Sequence, residues 1–161
     1  MNTCDKCKEL KCSESGGHQP DCPLWEVDPA EPKVRAKVVC FSGSSKFIDM
    51  MSVLMWEEEK KGNITLGCHL LPEWYKEFAP GGVLARHHQA EQEGVAAVLD
   101  EVHLRKIDLC DELFVVDVQG YFGDSTRREI EYARSQGKNV RFLSGDPAYA
   151  KLYKESLYAY G

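Results

Sequence analysis

The fold is decided by residues 113–137, which read LFVVDVQGYFGDSTRREIEYARSQG. Residues 113–116 are all apolar, which is typical of a strand buried on both faces of a parallel sheet. This strand ends at Asp117, and a glycine-containing loop follows. A helix is then predicted over 125–136, with Gly137 as its C-terminal stop. The stretch therefore predicts a strand–loop–helix unit of an α/β protein.

Similar units are predicted on both sides of this stretch. Strands are predicted at 38–41, 64–68, 113–116 and 140–143, and helices at 48–61, 90–107 and 125–136. The helix at 90–107 has an apolar face predicted from Val95, Val98, Leu99 and Val102. This alternation predicts a mostly parallel sheet with helices on both faces, in which ligands bind at the carboxyl ends of the strands.

Composition divides the chain into three parts. Residues 1–35 are rich in cysteine and proline and show neither strand nor helix periodicity, so we expect a small irregular appendage and linker. Residues 36–145 form the predicted α/β domain, since 43% hydrophobic residues suffice for a core. Residues 146–161 form a tail for which a helix with exposed tyrosines is predicted.

Charge and hydropathy narrow the cellular setting. The formal net charge of −6 argues against a broad basic face that binds nucleic acid. No apolar stretch reaches the roughly 20 residues that a membrane helix needs. The segment Met1–Cys7 has no apolar signal core, so we expect a cytoplasmic protein that does not bind membranes. Its seven cysteines are then expected to be thiols or metal ligands.

The N-terminal cysteines have the spacing of a metal-binding knuckle. Cys4 and Cys7 are separated by two residues, and Cys12 and Cys22 complete four thiolates, with His18 as a competing ligand. This pattern favours a structural Zn²⁺ ion. An iron–sulfur cluster and a reduced tail without metal are the alternatives. Such a knuckle could also bind a macromolecular partner.

The other cysteines, Cys40, Cys68 and Cys110, are interpreted as buried core thiols.

The loop after the first strand is a candidate anion site. Its residues with suitable chemistry are Ser42, Gly43, Ser44 and Lys46. Glycine lets the backbone approach a ligand, and successive N–H groups before a helix bind anions. The alternative is an ordinary turn with a serine cap.

The loop after the third strand is a second candidate ligand site. The residues predicted to line it are Gly120, Tyr121, Phe122, Gly123, Asp124, Ser125 and Thr126. Tyr121 and Phe122 could stack on a base or merely pack. Glu129 follows in the helix, where it could point into the ligand crevice. The alternative is that Ser125 and Glu129 form a capping-box-like pair at the helix end.

A carboxylate at this position is suited to act as a nucleophile. Glu129 can attack an anomeric carbon as the bond to a base breaks, as in retaining glycosidases. Asp117 could orient this nucleophile or help to protonate the leaving base. His103, on the predicted helix at 90–107, could be a ligand or proton donor, but a lone histidine is more often neither.

Three stretches resemble the nucleoside 2-deoxyribosyltransferase-like superfamily, and most closely its small bacterial and phage members. They are residues 41–47, FSGSSKF, residues 99–108, LDEVHLRKID, and residues 120–133, GYFGDSTRREIEYA. The resemblance spans roughly residues 36–145. It implies a flavodoxin-like or Rossmann-like parallel sheet of about five strands.

The resemblance also implies an activity. Relatives cleave the N-glycosidic bond of deoxynucleosides or deoxynucleotides, by transfer or by hydrolysis, without a catalytic metal or cofactor, and are commonly oligomers. It implies that Glu129 is the nucleophile, that Asp117 is the strand-end aspartate, and that Ser42, Gly43 and Ser44 bind the sugar or its phosphate. Arg127 and Arg128 depart from the pattern and could bind phosphate or face solvent. A non-catalytic nucleotide sensor on the same fold is the alternative function.

Overall fold

A computed structural model of the chain describes residues 35–68, 71, 75 and 89–160. The predicted cysteine-rich appendage, including all four predicted zinc ligands, lies outside the described residues, as does most of the connection predicted at 72–89. The described residues from Ala36 onward belong to one compact unit.

Four strands and five helices occur in the described part of the chain. The strands are β1 (Val38–Gly43), β2 (Ile64–Leu66), β3 (Glu112–Val116) and β4 (Asn139–Phe142). The helices are α1 (Ile48–Glu59), α2 (Gln89–Gln92), α3 (Ala96–Leu109), α4 (Asp124–Ser135) and α5 (Ala150–Ala159). Short 3-10 turns lie at Ser45–Phe47, Val118–Gly120, Leu143–Gly145 and Pro147–Tyr149.

The strands form one parallel sheet in the order β2-β1-β3-β4. The predicted parallel sheet is therefore confirmed, and its order is that of the first four strands of a flavodoxin-like sheet. The described residues contain four strands rather than the five expected. After β4 the chain passes through two 3-10 turns into α5, which packs on the sheet.

Helices cover both faces of the sheet, as predicted. Alternate residues of the two central strands point to opposite faces, since side chains alternate along a strand. Val39, Phe41, Phe114 and Val116 pack in a cluster with residues of α1 and α5. Cys40, Leu113 and Val115 pack in a second cluster with residues of α3 and α4. Both faces of the central strands are thus removed from water.

The predicted helix at 90–107 is interrupted. Gly94 has φ of +70° and separates α2 from α3, because that backbone conformation cannot continue a right-handed helix. The predicted apolar face is only partly buried, since Val98 and Leu99 are 62% and 40% exposed while Val95 and Val102 are half-buried. The buried residues of α3 are instead His103 and Ile107, which lie one turn apart on the face that meets the sheet.

The end of α4 follows the prediction. Gly137 has φ of +69°, its N–H donates to the carbonyl of Arg134, and the N–H of Lys138 donates to the carbonyl of Ala133. This pair of bonds is a Schellman motif, which satisfies carbonyls left open at a helix end. The helix predicted for the tail is present as α5, and Tyr158 on it is 76% exposed.

An ion network surrounds Arg141 of β4. Its guanidinium donates to Glu58 at 3.0 Å, to Glu112 at 2.9 Å and to Asp146 at 2.6 Å. The same guanidinium lies 4.1 Å from the ring centroid of Phe114. All three carboxylates are buried and share the Arg141 guanidinium, while Lys61 also pairs with Glu58 and Lys37 with Glu112.

No helix in the described part of the chain is both long and apolar enough to cross a membrane.

Candidate functional site

The carboxyl ends of the two central strands lie side by side. Ser42 of β1 is paired in register with Val115 of β3, and Gly43 with Val116. From β1 the chain leads outward to β2, and from β3 it leads outward to β4 on the opposite side. This is the topological switch point at which open α/β sheets bind ligands.

Gly43 is required by the close approach of the strands. A Cβ atom on Gly43 would lie 3.0 Å from the carbonyl oxygen of Val116 and 3.1 Å from its Cβ. A side chain at this position would therefore push β1 away from β3. The structure thus gives Gly43 a packing role beside the predicted loop, whereas ligand contact by Gly43 stays a prediction.

Glu129 links the two predicted loops. It lies in the second turn of α4, and its Oε2 atom accepts a short hydrogen bond from the hydroxyl of Ser42. Its Oε1 atom lies 3.4 Å from the hydroxyl oxygen of Ser125, which donates to it. Ser42 is fully buried, whereas the Glu129 side chain is 13% exposed. The carboxylate is thus fixed by two hydroxyl groups at the switch point while keeping some access to solvent.

The capping interpretation of Glu129 is wrong. Helix α4 begins at Asp124, and its N-cap is Gly123, which makes no side-chain capping bond. Ser125 therefore lies inside the first turn, and Glu129 is too far along the helix to bond the N-cap N–H. The orientation of Glu129 comes from its bond to Ser42, 87 residues away in sequence.

His103, which the sequence offered as a possible ligand or proton donor, lies beside Glu129. Its Nε2 atom lies 3.7 Å from Oε2 of Glu129, and the residue is only 6% exposed. Burial lowers the pKa of His103 below its ordinary value of 6.5, against the opposing effect of the Glu129 carboxylate. Burial thus favours the neutral imidazole. The available signal was its spacing of four residues from Ile107, which places a polar ring on an apolar helix face.

Asp117 is held by a different partner. It follows β3, is 4% exposed, and accepts hydrogen bonds from the N–H and the hydroxyl of Ser144, at 2.9 and 2.6 Å. Among the described contacts it has none with Glu129. The structure therefore places Asp117 as an anchor for the turn after β4, and its predicted catalytic role stays a prediction.

Residues that follow Gly43 in the first loop contact Tyr121 of the second loop. The hydroxyl of Ser44 accepts from the N–H of Lys46 at 3.3 Å, which makes Ser44 the cap of the turn Ser45–Phe47. The Lys46 ammonium lies 5.3 Å from the ring centroid of Tyr121, and Phe47 contacts the same ring edge-on. Tyr121 is 48% exposed, so its ring keeps an open face beside a cation.

The next residues of the second loop are mainly structural. Phe122 packs against Phe142, with ring centroids 6.2 Å apart, and the Arg127 guanidinium lies 5.3 Å from the Phe122 ring. Thr126 is buried, whereas Asp124 is exposed in the first turn of α4. Arg128 is exposed and lies 3.8 Å from Asp100. Packing is therefore the observed role of Phe122, and Tyr121 is better placed to stack on a ligand.

Two of the three domain cysteines are buried, as predicted. Cys40 and Cys110 are buried neighbours, and their mutual hydrogen bond lowers the pKa of Cys110 to about 7 while it raises the pKa of Cys40. The prediction for Cys68 is wrong, because it lies exposed two residues beyond β2. Within the described ranges, no group of three or more histidine, cysteine or acidic residues could hold a metal ion.

Comparison with known proteins gives no relative for this site. No protein-family model matches the chain, and neither a curated protein nor a solved structure is significantly similar to it. The resemblance to the deoxyribosyltransferase-like superfamily therefore stays an expectation.

Proposed function

We propose that the protein cleaves the N-glycosidic bond of a nucleoside or nucleotide, by hydrolysis or by 2-deoxyribosyl transfer, with Glu129 as nucleophile. The observation that carries this proposal is the placement of the Glu129 carboxylate. It lies at the switch point, joins both candidate loops through Ser42 and Ser125, and is partly open to solvent. A fixed carboxylate in such a crevice matches the requirement for nucleophilic attack on a sugar.

The reaction proceeds in two displacements. An oxygen of Glu129 forms a bond to the anomeric carbon while the bond from that carbon to the base nitrogen breaks. The base leaves with the electron pair and takes up a proton. Water or a second base then attacks the same carbon, loses a proton, and releases the Glu129 carboxylate. The configuration at the anomeric carbon is retained because each step inverts it.

The two serine hydroxyls prepare the carboxylate for this step. Hydrogen bonds from Ser42 and Ser125 hold both oxygens, so little rotational freedom is lost when the sugar binds.

Lys46 and Tyr121, at the edge of the site, are suited to bind the phosphate and the base of such a substrate. Lys46 supplies a positive charge beside the first loop, and Tyr121 supplies an exposed aromatic ring next to it. A cation recognises a phosphate, and an aromatic face stacks on a base. The three stretches that resemble the deoxyribosyltransferase-like superfamily support the same substrate class.

The test compares base release by the natural protein and by Glu129→Gln, using deoxynucleosides and ribonucleosides and their 5′-monophosphates. Chromatography measures the free base, with and without an added acceptor base. Glu131→Gln is the matched control, because Glu131 is exposed on the same helix. We expect release that is lost in Glu129→Gln and kept in Glu131→Gln. A dependence on the acceptor would identify transfer rather than hydrolysis.

A non-catalytic nucleotide sensor is the second candidate function. The observation that favours it is that both Glu129 oxygens already have hydroxyl partners, as in a carboxylate with a structural role. Isothermal titration with the same nucleotides separates the two functions. Binding without base release from any substrate would support the sensor and contradict the enzyme.

The zinc ion, the homo-oligomer and the cytoplasmic location stay predictions.

A further inference from the structure

His103 has an unused hydrogen-bonding atom at the proposed site. Its Nε2 atom is the one buried side-chain nitrogen or oxygen in the described part of the chain that has no hydrogen-bond partner. Buried polar atoms are nearly always paired, since leaving one unpaired costs free energy. An atom of this kind beside a candidate nucleophile indicates that a bound molecule completes the pairing.

The neighbouring groups do not satisfy this atom. Oε2 of Glu129, at 3.7 Å from Nε2, is beyond hydrogen-bond distance and already accepts from Ser42. Lys106, on the same helix, donates to the carbonyl of Gly67 at 2.7 Å. Asp100 lies one turn before His103 and is near Arg128. Nε2 of His103 therefore lies beside the carboxylate of Glu129 without a hydrogen bond to it.

We propose that Nε2 of His103 binds the 2′-hydroxyl of a ribosyl substrate, so that the site prefers ribonucleosides or ribonucleotides over their 2′-deoxy forms. This inference rests on the proposed function and deepens it by naming the sugar. It also departs from the deoxyribose that the resemblance implies.

Stereochemistry supports this assignment. The base of a nucleoside lies on the β face of the sugar, so a nucleophile that displaces it attacks from the α face. The 2′-hydroxyl of ribose also lies on the α face, on the carbon next to the one attacked. A group that binds this hydroxyl must therefore lie beside the attacking carboxylate oxygen, and Nε2 of His103 lies 3.7 Å from Oε2 of Glu129.

The expected discrimination follows from the cost of an unpaired group. A site built to bond a hydroxyl rejects the analogue that lacks it, because its own polar group stays buried and unpaired. Bonds to the 2-hydroxyl also strengthen in the transition state of retaining glycosidases. We therefore expect kcat/KM to be at least about tenfold higher for each ribonucleotide than for its 2′-deoxy partner.

The test uses matched ribo and 2′-deoxy pairs of nucleoside 5′-monophosphates with the natural protein, His103→Phe and His103→Gln. Phenylalanine keeps the ring but cannot bond a hydroxyl, whereas the amide of glutamine reaches about as far as Nε2. We expect the ribose preference to disappear in His103→Phe and to be partly kept in His103→Gln. Equal rates on both sugars, or faster deoxyribose cleavage by the natural protein, would overturn the inference and leave the glycosidase proposal intact.

Failure of the proposed function gives a different result. If no substrate releases base, binding of the same pairs is followed by the NMR signals of the His103 ring. A tighter ribonucleotide complex that shifts these signals, and whose preference is lost in His103→Phe, would support the hydroxyl contact without catalysis. Equal binding of both sugars, or no shift of the His103 signals, would reject the contact as well.

Discussion

Glu58 and Glu129 are both buried or nearly buried carboxylates on helices that cover the sheet, yet their surroundings differ. Glu58 is 2% exposed and receives hydrogen bonds from four side chains, those of Lys61, Asn63, Arg141 and Tyr149. Glu129 has two serine hydroxyls, no cation within hydrogen-bonding distance in the described contacts, and the unpaired His103 nitrogen beside it. Every polar atom of the first environment is paired in the described contacts, whereas the second leaves the His103 nitrogen unpaired.

This difference separates a structural role from a chemical one. A carboxylate surrounded by donors and cations is stabilised as a charge, but it offers no free lone pair to a substrate. A carboxylate oriented by neutral hydroxyls and partly open to solvent keeps its access to a substrate. Substitution of the first should therefore affect stability, and substitution of the second should affect activity.

The largest effect is expected for Glu129→Gln. The amide cannot act as a nucleophile, so base release should fall by roughly 10³-fold or more. The free energy of unfolding should change by less than about 1 kcal/mol, because the amide keeps a hydrogen bond to Ser42. Urea denaturation and base release measured on the same preparation test both statements. A large loss of stability with unchanged activity would reverse the roles assigned to the two carboxylates.

Arg141→Met should destabilise the protein by about 3 kcal/mol, because three buried carboxylates lose their common cation. The change is measured as a lower urea midpoint by circular dichroism. Arg128→Met is the matched control, since the Arg128 side chain is 71% exposed and has one distant ion pair. A shift in Arg141→Met no larger than in the control would show that the network contributes little to stability.

Ser42→Ala should reduce base release about 30-fold with little change in KM. The alanine removes the hydroxyl that orients Oε2 of Glu129, and an oriented nucleophile accounts for part of kcat. Ser52→Ala is the control, because its hydroxyl bonds only the carbonyl of Ile48 within α1. Loss of activity through a higher KM alone would show that Ser42 binds substrate and does not position the carboxylate.

Lowering the pH should show how much the charge of Glu58 contributes to the stability of the fold. Burial alone would raise its pKa, but hydrogen bonds from Tyr149, Arg141 and Asn63 lower it from 4.5 to about 2. A lowered folded-state pKa stabilises the fold above the unfolded-state pKa, and this contribution is lost as pH falls from about 4.5 to 2.

The free energy of unfolding should therefore decrease by on the order of 1–2 kcal/mol more in the natural protein than in Glu58→Gln over that interval. Urea titrations at several pH values measure it. Parallel pH profiles for the two proteins would contradict the role of the Glu58 charge.

The sequence predicted the strands and helices of this fold better than the contacts between them. The apolar run at 113–116 and its alternation with predicted helices favoured a parallel sheet, because helices cover both faces of such a sheet. Helix boundaries were predicted well where glycine ends a helix, as at Gly137. The break at Gly94 was missed because a single glycine within a helical pattern is often tolerated.

The site was predicted only in part, for a physical reason. Local pattern identified Glu129 and the Ser42 loop, since the loop follows one predicted strand and Glu129 lies in the helix that comes after the loop of another. Their hydrogen bond joins residues 87 positions apart, and only the sheet register brings them together. His103 was not placed in the site, because the face of α3 that meets the sheet depends on tertiary packing, and the apolar residues Val98 and Leu99 favoured another face.

The smallest effect is expected for Ser125→Ala. It tests whether the hydroxyls of Ser42 and Ser125 contribute equally to orienting Glu129. The Ser125 oxygen is 3.4 Å from Oε1 of Glu129, which is longer than a strong O–H···O bond. Base release should therefore fall only about two- to threefold, well short of the effect of Ser42→Ala. Ser135→Ala is the control on the same helix, since its hydroxyl bonds the carbonyl of Tyr132. An effect of Ser125→Ala equal to that of Ser42→Ala would show that both oxygens must be held, so that the carboxylate is oriented from α4 as much as from β1.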